Sequence, residues 1–144
     1  MSVTKIEKQK VKTGKSGSTL KDFTDLDAWK LARELRQRIY RFTKGFPADE
    51  RHVLTAQIRR AAISITAKLA EGYGRYSYRE NSQFCRTSRA STYEVRDHLT
   101  AALDQRYISR QQWEEADQLA RRVIQVLNGY IRATLKLRDA GKNG

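Results

Sequence analysis

The stretch Ser64–Asn81 (SITAKLAEGYGRYSYREN) begins with the spacing of a helix and then breaks. Gly72 and Gly74 stand at the break, and glycine tolerates the positive φ that a chain reversal can require. Ser77 is followed three residues later by Glu80, which is the capping-box pattern of a new helix. Tyrosines and arginines interleave through the same segment: Tyr73, Arg75, Tyr76, Tyr78 and Arg79. The stretch therefore predicts a joint between two helices that carries a basic and aromatic surface.

Apolar residues recur every three or four positions on both sides of this joint, which is the period of an amphipathic helix. The four apolar stripes run from Trp29 to Phe46, from Leu54 to Leu69, from Phe84 to Ala102 and from Trp113 to Thr134. Pro47 ends the first helix, and Ser109 with Gln112 repeats the capping pattern before the fourth. Four such helices with short joints pack most simply as a bundle. The predicted fold is all-α, an antiparallel up-down-up-down four-helix bundle.

The periodic segment, residues 23–137, is predicted to form one domain, because 144 residues is an ordinary length for a single domain. Its helices are expected at about 26–46, 48–70, 78–107 and from about 110 onward. Residues 1–22 are rich in lysine and poor in apolar side chains, so they are predicted to be a disordered basic tail. Two interpretations of this tail are equally good: an electrostatic arm, or a segment without a role, either an idle tail or a leftover of expression or purification. Residues 138–144 are predicted to fray.

Charge is the strongest compositional signal. The chain has 29 Lys and Arg against 16 Asp and Glu, which gives a net charge of +13 at pH 7. Such a surface is expected to attract RNA, DNA or an acidic protein, although a well-solvated surface is the simpler alternative. No apolar run of about 18 residues predicts a membrane span, and no apolar segment after the basic N-terminus predicts a signal peptide. The single cysteine fits a reducing cytoplasm.

The sequence shows no pattern that predicts catalysis. His52 and His98 lack partners at metal-ligand spacing, and Cys85 is expected to be a small, half-buried thiol beside Phe84. The Gly72-x-Gly74 pair follows no strand and precedes no Gly-Lys-Ser/Thr, so it is neither a dinucleotide loop nor a P-loop. We therefore expect no enzyme activity, no metal site and no cofactor.

The basic residues nevertheless form a pattern. At about 100° per residue, four arginines of the third helix share an arc largely opposite its apolar stripe: Arg79, Arg86, Arg89 and Arg96. The second helix and the joint add Arg59, Arg60, Lys68 and Arg75. The planar guanidinium fork suits phosphate, and Tyr76 and Tyr78 offer faces on which unpaired bases could stack. These ten residues are the predicted nucleic-acid surface. The alternatives are a solvated helix face for the arginines and a subunit contact for the tyrosines.

Several linked motifs resemble a known family. They are Phe23-x-Asp25-Leu26-x-x-Trp29-Lys30, Phe46-Pro47, Gln57-Ile58-Arg59-Arg60-Ala61-Ala62 and Ala70-Glu71-Gly72-x-Gly74-Arg75. Over roughly residues 23–135 the chain resembles the 23S rRNA intervening-sequence proteins. The resemblance implies a four-helix bundle that assembles as a homopentameric ring and has no established catalytic residues. Thr66 and Lys68 stand where the family commonly has proline and asparagine.

The fold of that family is similar to the fold of the accessory variability protein of diversity-generating retroelements. That relative is a basic pentamer that binds a reverse transcriptase and nucleic acid. The first functional hypothesis is therefore a non-enzymatic, oligomeric module that binds RNA or DNA. The second is an accessory subunit of a retroelement reverse transcriptase, and the third is a structural oligomer whose charge only keeps it soluble.

Overall fold

A computed structural model describes the backbone of residues 20–143 and the side chains of residues 20–141. All regular structure in this range is helical, and the α-helices are α1 (Asp27–Thr43), α2 (Leu54–Tyr73), α3 (Tyr78–Asp104) and α4 (Arg110–Asn143). Short 3-10 turns at Phe23–Asp25 and Ala48–Glu50 precede α1 and α2. Each helix packs against the next, and α4 returns to α1. The predicted all-α four-helix bundle is confirmed.

Residues 1–19 of the predicted tail lie outside the described residues. Within the described part, Leu20 is almost completely buried and, like Leu26, belongs to the hydrophobic core. At the other end of the chain α4 continues to Asn143.

The predicted apolar stripes form the centre of the bundle. The side chains that are most completely buried include Leu35 and Ile39 of α1, Ile58, Ile65 and Leu69 of α2, Val95 and Leu99 of α3, and Val123 and Leu127 of α4. The large aromatic residues Trp29, Phe42, Phe46 and Trp113 are only partly buried and cover the rim of this core. Cys85 is fully buried rather than half-buried, because α2 and α4 both cover the face of α3 on which it lies.

Two helix starts follow the predicted capping chemistry. The hydroxyl of Ser77 accepts a hydrogen bond from the backbone N–H of Glu80 at 3.3 Å, at the start of α3. At the start of α4, the hydroxyl of Ser109 accepts from the N–H of Gln112 at 3.1 Å, and the Gln112 side chain accepts from the N–H of Ser109 at 2.8 Å. Both caps satisfy donors that a helix N-terminus leaves unpaired.

Gly72 has a different role from the predicted one. It lies inside α2, and Gly74 at the helix end has φ of −72°, so neither glycine supplies a left-handed turn. A Cβ atom on Gly72 would lie 2.7 Å from Oδ1 of Asn81 and 2.8 Å from Cβ of Phe84. Glycine is needed at this position because α3 approaches the backbone of α2 too closely for any side chain.

The left-handed residue occurs instead between α3 and α4. Arg106 has φ of 62°. Its N–H donates to the carbonyl of Leu103 at 2.9 Å, and the N–H of Tyr107 donates to the carbonyl of Ala102 at 2.9 Å. This pair of bonds is the Schellman arrangement that closes a helix C-terminus. The reversal that brings α4 back along α3 is therefore closed by backbone hydrogen bonds without a glycine.

Replacing Gly72 by alanine should destabilise the protein by about 1–2 kcal/mol, since the overpacking cost exceeds the gain in helix propensity. Gly129→Ala in α4 is the matched control. A Cβ at Gly129 would meet only the Nη2 atom of Arg132, at 3.9 Å, so this variant should gain about 0.5–1 kcal/mol. Urea unfolding followed by circular dichroism measures both changes. Equal effects of the two variants would contradict the close-approach role of Gly72.

A buried hydrogen bond joins α3 to α4. Nδ2 of Asn81 donates to the hydroxyl oxygen of Tyr130 at 3.0 Å, and both residues are buried. Burial raises the pKa of Tyr130 well above its ordinary value of 10, because the ionised phenolate would lose its hydration. The neutral hydroxyl is therefore the form that the fold accommodates.

Tyr130→Phe should lower the free energy of unfolding by about 1–3 kcal/mol at pH 7, because the Asn81 amide loses its buried acceptor. The wild-type protein should also lose stability above about pH 10, where Tyr130 ionises in the unfolded chain before it does in the folded one. Denaturant unfolding between pH 8 and 11 measures both effects. A wild-type decline no steeper than that of the phenylalanine variant would contradict the contribution of Tyr130.

Candidate nucleic-acid interface

The ten predicted surface residues lie on three different faces of the bundle. Arg59 faces α1, where its Nε donates to the hydroxyl of Thr43 at 2.8 Å. Its guanidinium carbon also lies 4.8 Å from the centre of the Tyr40 ring. The side chain is partly buried, and these contacts fasten α2 to the end of α1. Arg59 is therefore already engaged within the fold.

Three more of the predicted cations lie along the seam between α2 and α3. Arg60 forms an ion pair with Glu94 of α3. Nζ of Lys68 lies 3.4 Å from Oε1 of Glu71 on its own helix. The Phe84 ring is flanked by two cations, with Nζ of Lys68 5.7 Å and the guanidinium carbon of Arg75 5.0 Å from its centre. The charges of Arg60 and Lys68 are thus partly balanced by carboxylates. The exposed guanidinium of Arg75 lies over the Phe84 ring and forms no ion pair with a described residue.

The two tyrosines that were predicted to stack on bases differ in their exposure to solvent. Tyr76 lies exposed in the joint, whereas only 5% of the surface of Tyr78 is exposed. Tyr78 begins a line at seven-residue spacing through Cys85, Thr92 and Leu99, all of which face the core. Tyr78 therefore presents no open ring face to a base in this structure.

The adjacent line on α3 faces outward. Arg79, Arg86 and Tyr93 follow one another at the same seven-residue spacing, and all three are exposed. Within residues 20–141, the guanidinium groups of Arg79 and Arg86 have neither a hydrogen bond nor an ion pair. Both are therefore available to a phosphate without first leaving a protein carboxylate.

Arg89 and Arg96 lie one step closer to α4 and are held by it. Nη1 of Arg89 donates to Oδ1 of Asn128 at 2.6 Å. Nε of Arg96 donates to Oδ1 of Asp117 at 2.8 Å, and the second oxygen of Asp117 accepts from Nε of Arg121 at 2.9 Å. These two arginines connect α3 to α4, while the rest of each guanidinium remains only partly buried.

The α3–α4 edge therefore concentrates positive charge, and its arginines are Arg79, Arg86, Arg89, Arg96, Arg121 and Arg132. Arg132 is exposed one turn beyond Asn128, the partner of Arg89. The carboxylate that these contacts place within the edge is Asp117, whose side chain is 6% exposed. Because one buried carboxylate faces two arginines and Asn128 is neutral, the edge keeps an excess of cations.

Tyr93 was not among the predicted site residues. Tyr93 is 52% exposed, and the guanidinium carbon of Arg96 lies 5.6 Å from the centre of its ring. The sequence does contain a signal for it, because Tyr93 continues the seven-residue spacing of Arg79 and Arg86.

Histidine, cysteine and carboxylate side chains are the other groups of the described chain that could support chemistry. Among residues 20–141, His, Cys, Asp and Glu form no group of three that could hold a metal ion. Nε2 of His98 lies 3.2 Å from a Glu94 oxygen, which Arg60 also contacts, and Cys85 is enclosed in the core. None of the described helices is both long and apolar enough to cross a membrane.

The fold and this edge define a basic four-helix-bundle protein with an arginine-rich outer face. The chain belongs to the 23S rRNA-intervening sequence protein family, whose model matches residues 24–129. This match confirms the resemblance found in the sequence motifs. No curated protein matches the sequence.

A solved structure from Bacteroides thetaiotaomicron VPI-5482 is similar in fold. It is described as a protein with unknown function from the S23 ribosomal protein family. The two chains share 22% sequence identity with a TM-score of 0.66, over 72% of this chain and 97% of that chain. At this identity the likeness supports the bundle architecture, and it carries no residue roles.

Asp117→Asn should lower the free energy of unfolding by about 1–3 kcal/mol, because Arg96 and Arg121 lose the carboxylate that they share. Asp97→Asn is the matched control, since Asp97 is strongly exposed on α3 and should change stability by less than about 0.5 kcal/mol. Thermal and urea unfolding measure the difference. A loss at Asp97 as large as that at Asp117 would contradict a structural role for the buried carboxylate.

Proposed function

We propose that this protein is a non-enzymatic binding module for nucleic acid, either RNA or DNA, and that the α3–α4 edge contacts its phosphates. The observation that carries the proposal is the pair Arg79 and Arg86. Both are exposed on one line of α3, and neither has a carboxylate partner among the described residues. Exposed guanidinium groups without partners can form bidentate bonds to phosphate at little desolvation cost.

The neighbouring contacts support the same assignment. Arg89 and Arg96 are fixed by Asn128 and Asp117, so their positions are ordered before any ligand arrives. Ordered side chains lose less conformational entropy on binding than mobile ones. The net charge of +13 adds a long-range attraction to any polyanion. Arg75 at the joint and the lysine-rich tail would extend this attraction.

The proposed module acts as a homo-oligomer in the cytoplasm. A pentameric ring, as the family resemblance implies, would present five copies of the edge to one nucleic acid. Several weak contacts on one ligand raise the overall affinity without a deep binding site. This arrangement suits contacts that are made on the exposed surface of a helix.

A second candidate is an accessory subunit of a reverse transcriptase. The observation that favours it is a pair of exposed apolar side chains outside the α3–α4 edge, Val53 just before α2 and Ile63 within α2. Such positions can be covered by a protein partner while the basic edge meets the nucleic acid that the partner holds. Co-purification of a reverse transcriptase with the protein, lost on changing Ile63 to lysine, would support this candidate.

The test of the first proposal is fluorescence anisotropy with labelled structured RNA and duplex DNA across a range of salt concentrations. The variant Arg79→Gln/Arg86→Gln should bind at least about 10-fold more weakly near 0.1 M salt. Its slope of log affinity against log salt should be smaller by about 1.4–1.8, because two phosphate contacts are lost.

Arg41→Gln/Arg122→Gln is the matched control, since both residues are exposed on the α1 side of the bundle and the change in net charge is the same. This control should keep the wild-type slope. Equal losses in the two double variants would show a diffuse charge effect and contradict the α3–α4 edge. Absence of binding near physiological salt would contradict the proposed function as a whole.

A further inference from the structure

We infer that the α3–α4 edge selects an unpaired nucleic-acid strand and that Tyr93 is the residue on which a base stacks. The inference rests on the proposed function, and it adds both the class of ligand and a residue that recognises it. Three features of the described residues carry it: the exposure of the Tyr93 ring, its place among the arginines, and the way in which its neighbours hold it.

The first feature is that Tyr93 is exposed but does not lie in an apolar surface patch. Tyr93 keeps 52% of its surface exposed although it lies in the middle of a long helix. The preceding positions on its line are Arg79 and Arg86, so the ring does not belong to an apolar patch of the kind that docks onto a protein. An aromatic ring among cations is the composition of surfaces that bind single strands.

The second feature is spacing. Seven residues of an α-helix rise roughly 10 Å, so Arg79, Arg86 and Tyr93 lie about 20 Å from end to end along one line. A strand laid along α3 could place phosphates on the two arginines and a base on the ring. The strongly exposed Asp97, one turn beyond Tyr93, adds negative charge there and disfavours extension of the strand in that direction.

The third feature is the contact between the Tyr93 ring and Arg96. The guanidinium carbon of Arg96 lies 5.6 Å from the centre of the Tyr93 ring. Arg96 is itself held by Asp117, which is buried and also accepts a hydrogen bond from Arg121. Tyr93 is therefore held beside a cation whose position is already fixed, and a base can stack on it with little further ordering.

These features favour unpaired strands over duplexes for a simple reason. In a duplex the faces of the bases are stacked on one another, so an exposed ring on a helix surface cannot reach them. In a single strand the faces are available, and stacking on tyrosine is tolerant of sequence. A duplex would use the arginines only, and Tyr93 would add nothing to its affinity.

The test is fluorescence anisotropy of the full chain with four labelled probes: a 20-nucleotide oligo(U) RNA, a 20-nucleotide oligo(dT) DNA, and 20-base-pair RNA and DNA duplexes. Tyr93→Ala should weaken binding to the oligo(U), the oligo(dT) or both by about 5- to 100-fold. It should change duplex binding by less than about 2-fold, and it should leave the salt slope unchanged because no charge is removed.

Two further variants complete the design. Tyr93→Phe keeps the ring and should bind single strands as the wild type does. Val53→Ala shortens another exposed large side chain, just before α2 and outside the predicted nucleic-acid surface, and should bind all four probes as the wild type does. A loss with oligo(U) alone would support the inference and place the recognition on RNA, whereas equal losses with oligo(U) and oligo(dT) would support it for either sugar.

Three results would overturn the inference. They are equal affinity of the wild type for strands and duplexes, an equal loss in Tyr93→Ala for both, and wild-type binding of strands by Tyr93→Ala. In each case the arginine contacts, and with them the proposed function, would still stand. If the wild type bound none of the four probes, the proposed function would fail and the inference would fail with it.

Discussion

The close contact between α2 and α3 at Gly72 is the constraint on which the rest of the structure depends. Because Gly72 has no side chain, Asn81 and Phe84 lie directly against the backbone of α2. Asn81 also reaches Tyr130 on α4, so a single residue of α3 contacts both neighbouring helices. Together these contacts fix the rotation of α3 about its own axis, and that rotation decides which of its side chains face outward.

The effect of this rotation on exposure is clearest in two neighbouring lines of residues on α3. Tyr78 and Cys85 belong to a line that faces the core, whereas Arg79 and Arg86 belong to a line that faces solvent. The two lines differ by one residue, which is a rotation of about 100°. A rotation of α3 by that angle would therefore exchange buried and exposed groups along much of the helix.

Asp117 is a second residue that organises the structure, because its contacts divide the arginines into two groups. Arg96 and Arg121 share its carboxylate and join α3 to α4, whereas Arg79 and Arg86 remain without such a partner in the described chain. With 29 basic and 16 acidic residues, many cations must lack an acidic partner. The unpartnered arginines of α3 lie on one line, and this alignment concentrates positive charge on one exposed face of the helix.

The sequence by itself determined the four helices, their apolar faces and their caps, because these depend on local spacing and on hydrogen bonds between residues three or four apart. It also determined the large excess of positive charge. It could not determine the role of Gly72, since the need for glycine there comes from Asn81 and Phe84 on another helix.

The tertiary structure alone decided which basic and aromatic residues are available. Arg59 is engaged by Thr43, Arg96 by Asp117, and Tyr78 is buried, although all three looked equivalent to Arg79 or Tyr76 in sequence. Tyr93 is available because the rotation of α3 turns it outward beside Arg96. Helical spacing gives relative angles within one helix, but only packing against neighbouring helices sets the direction of the core and supplies the partners of each cation.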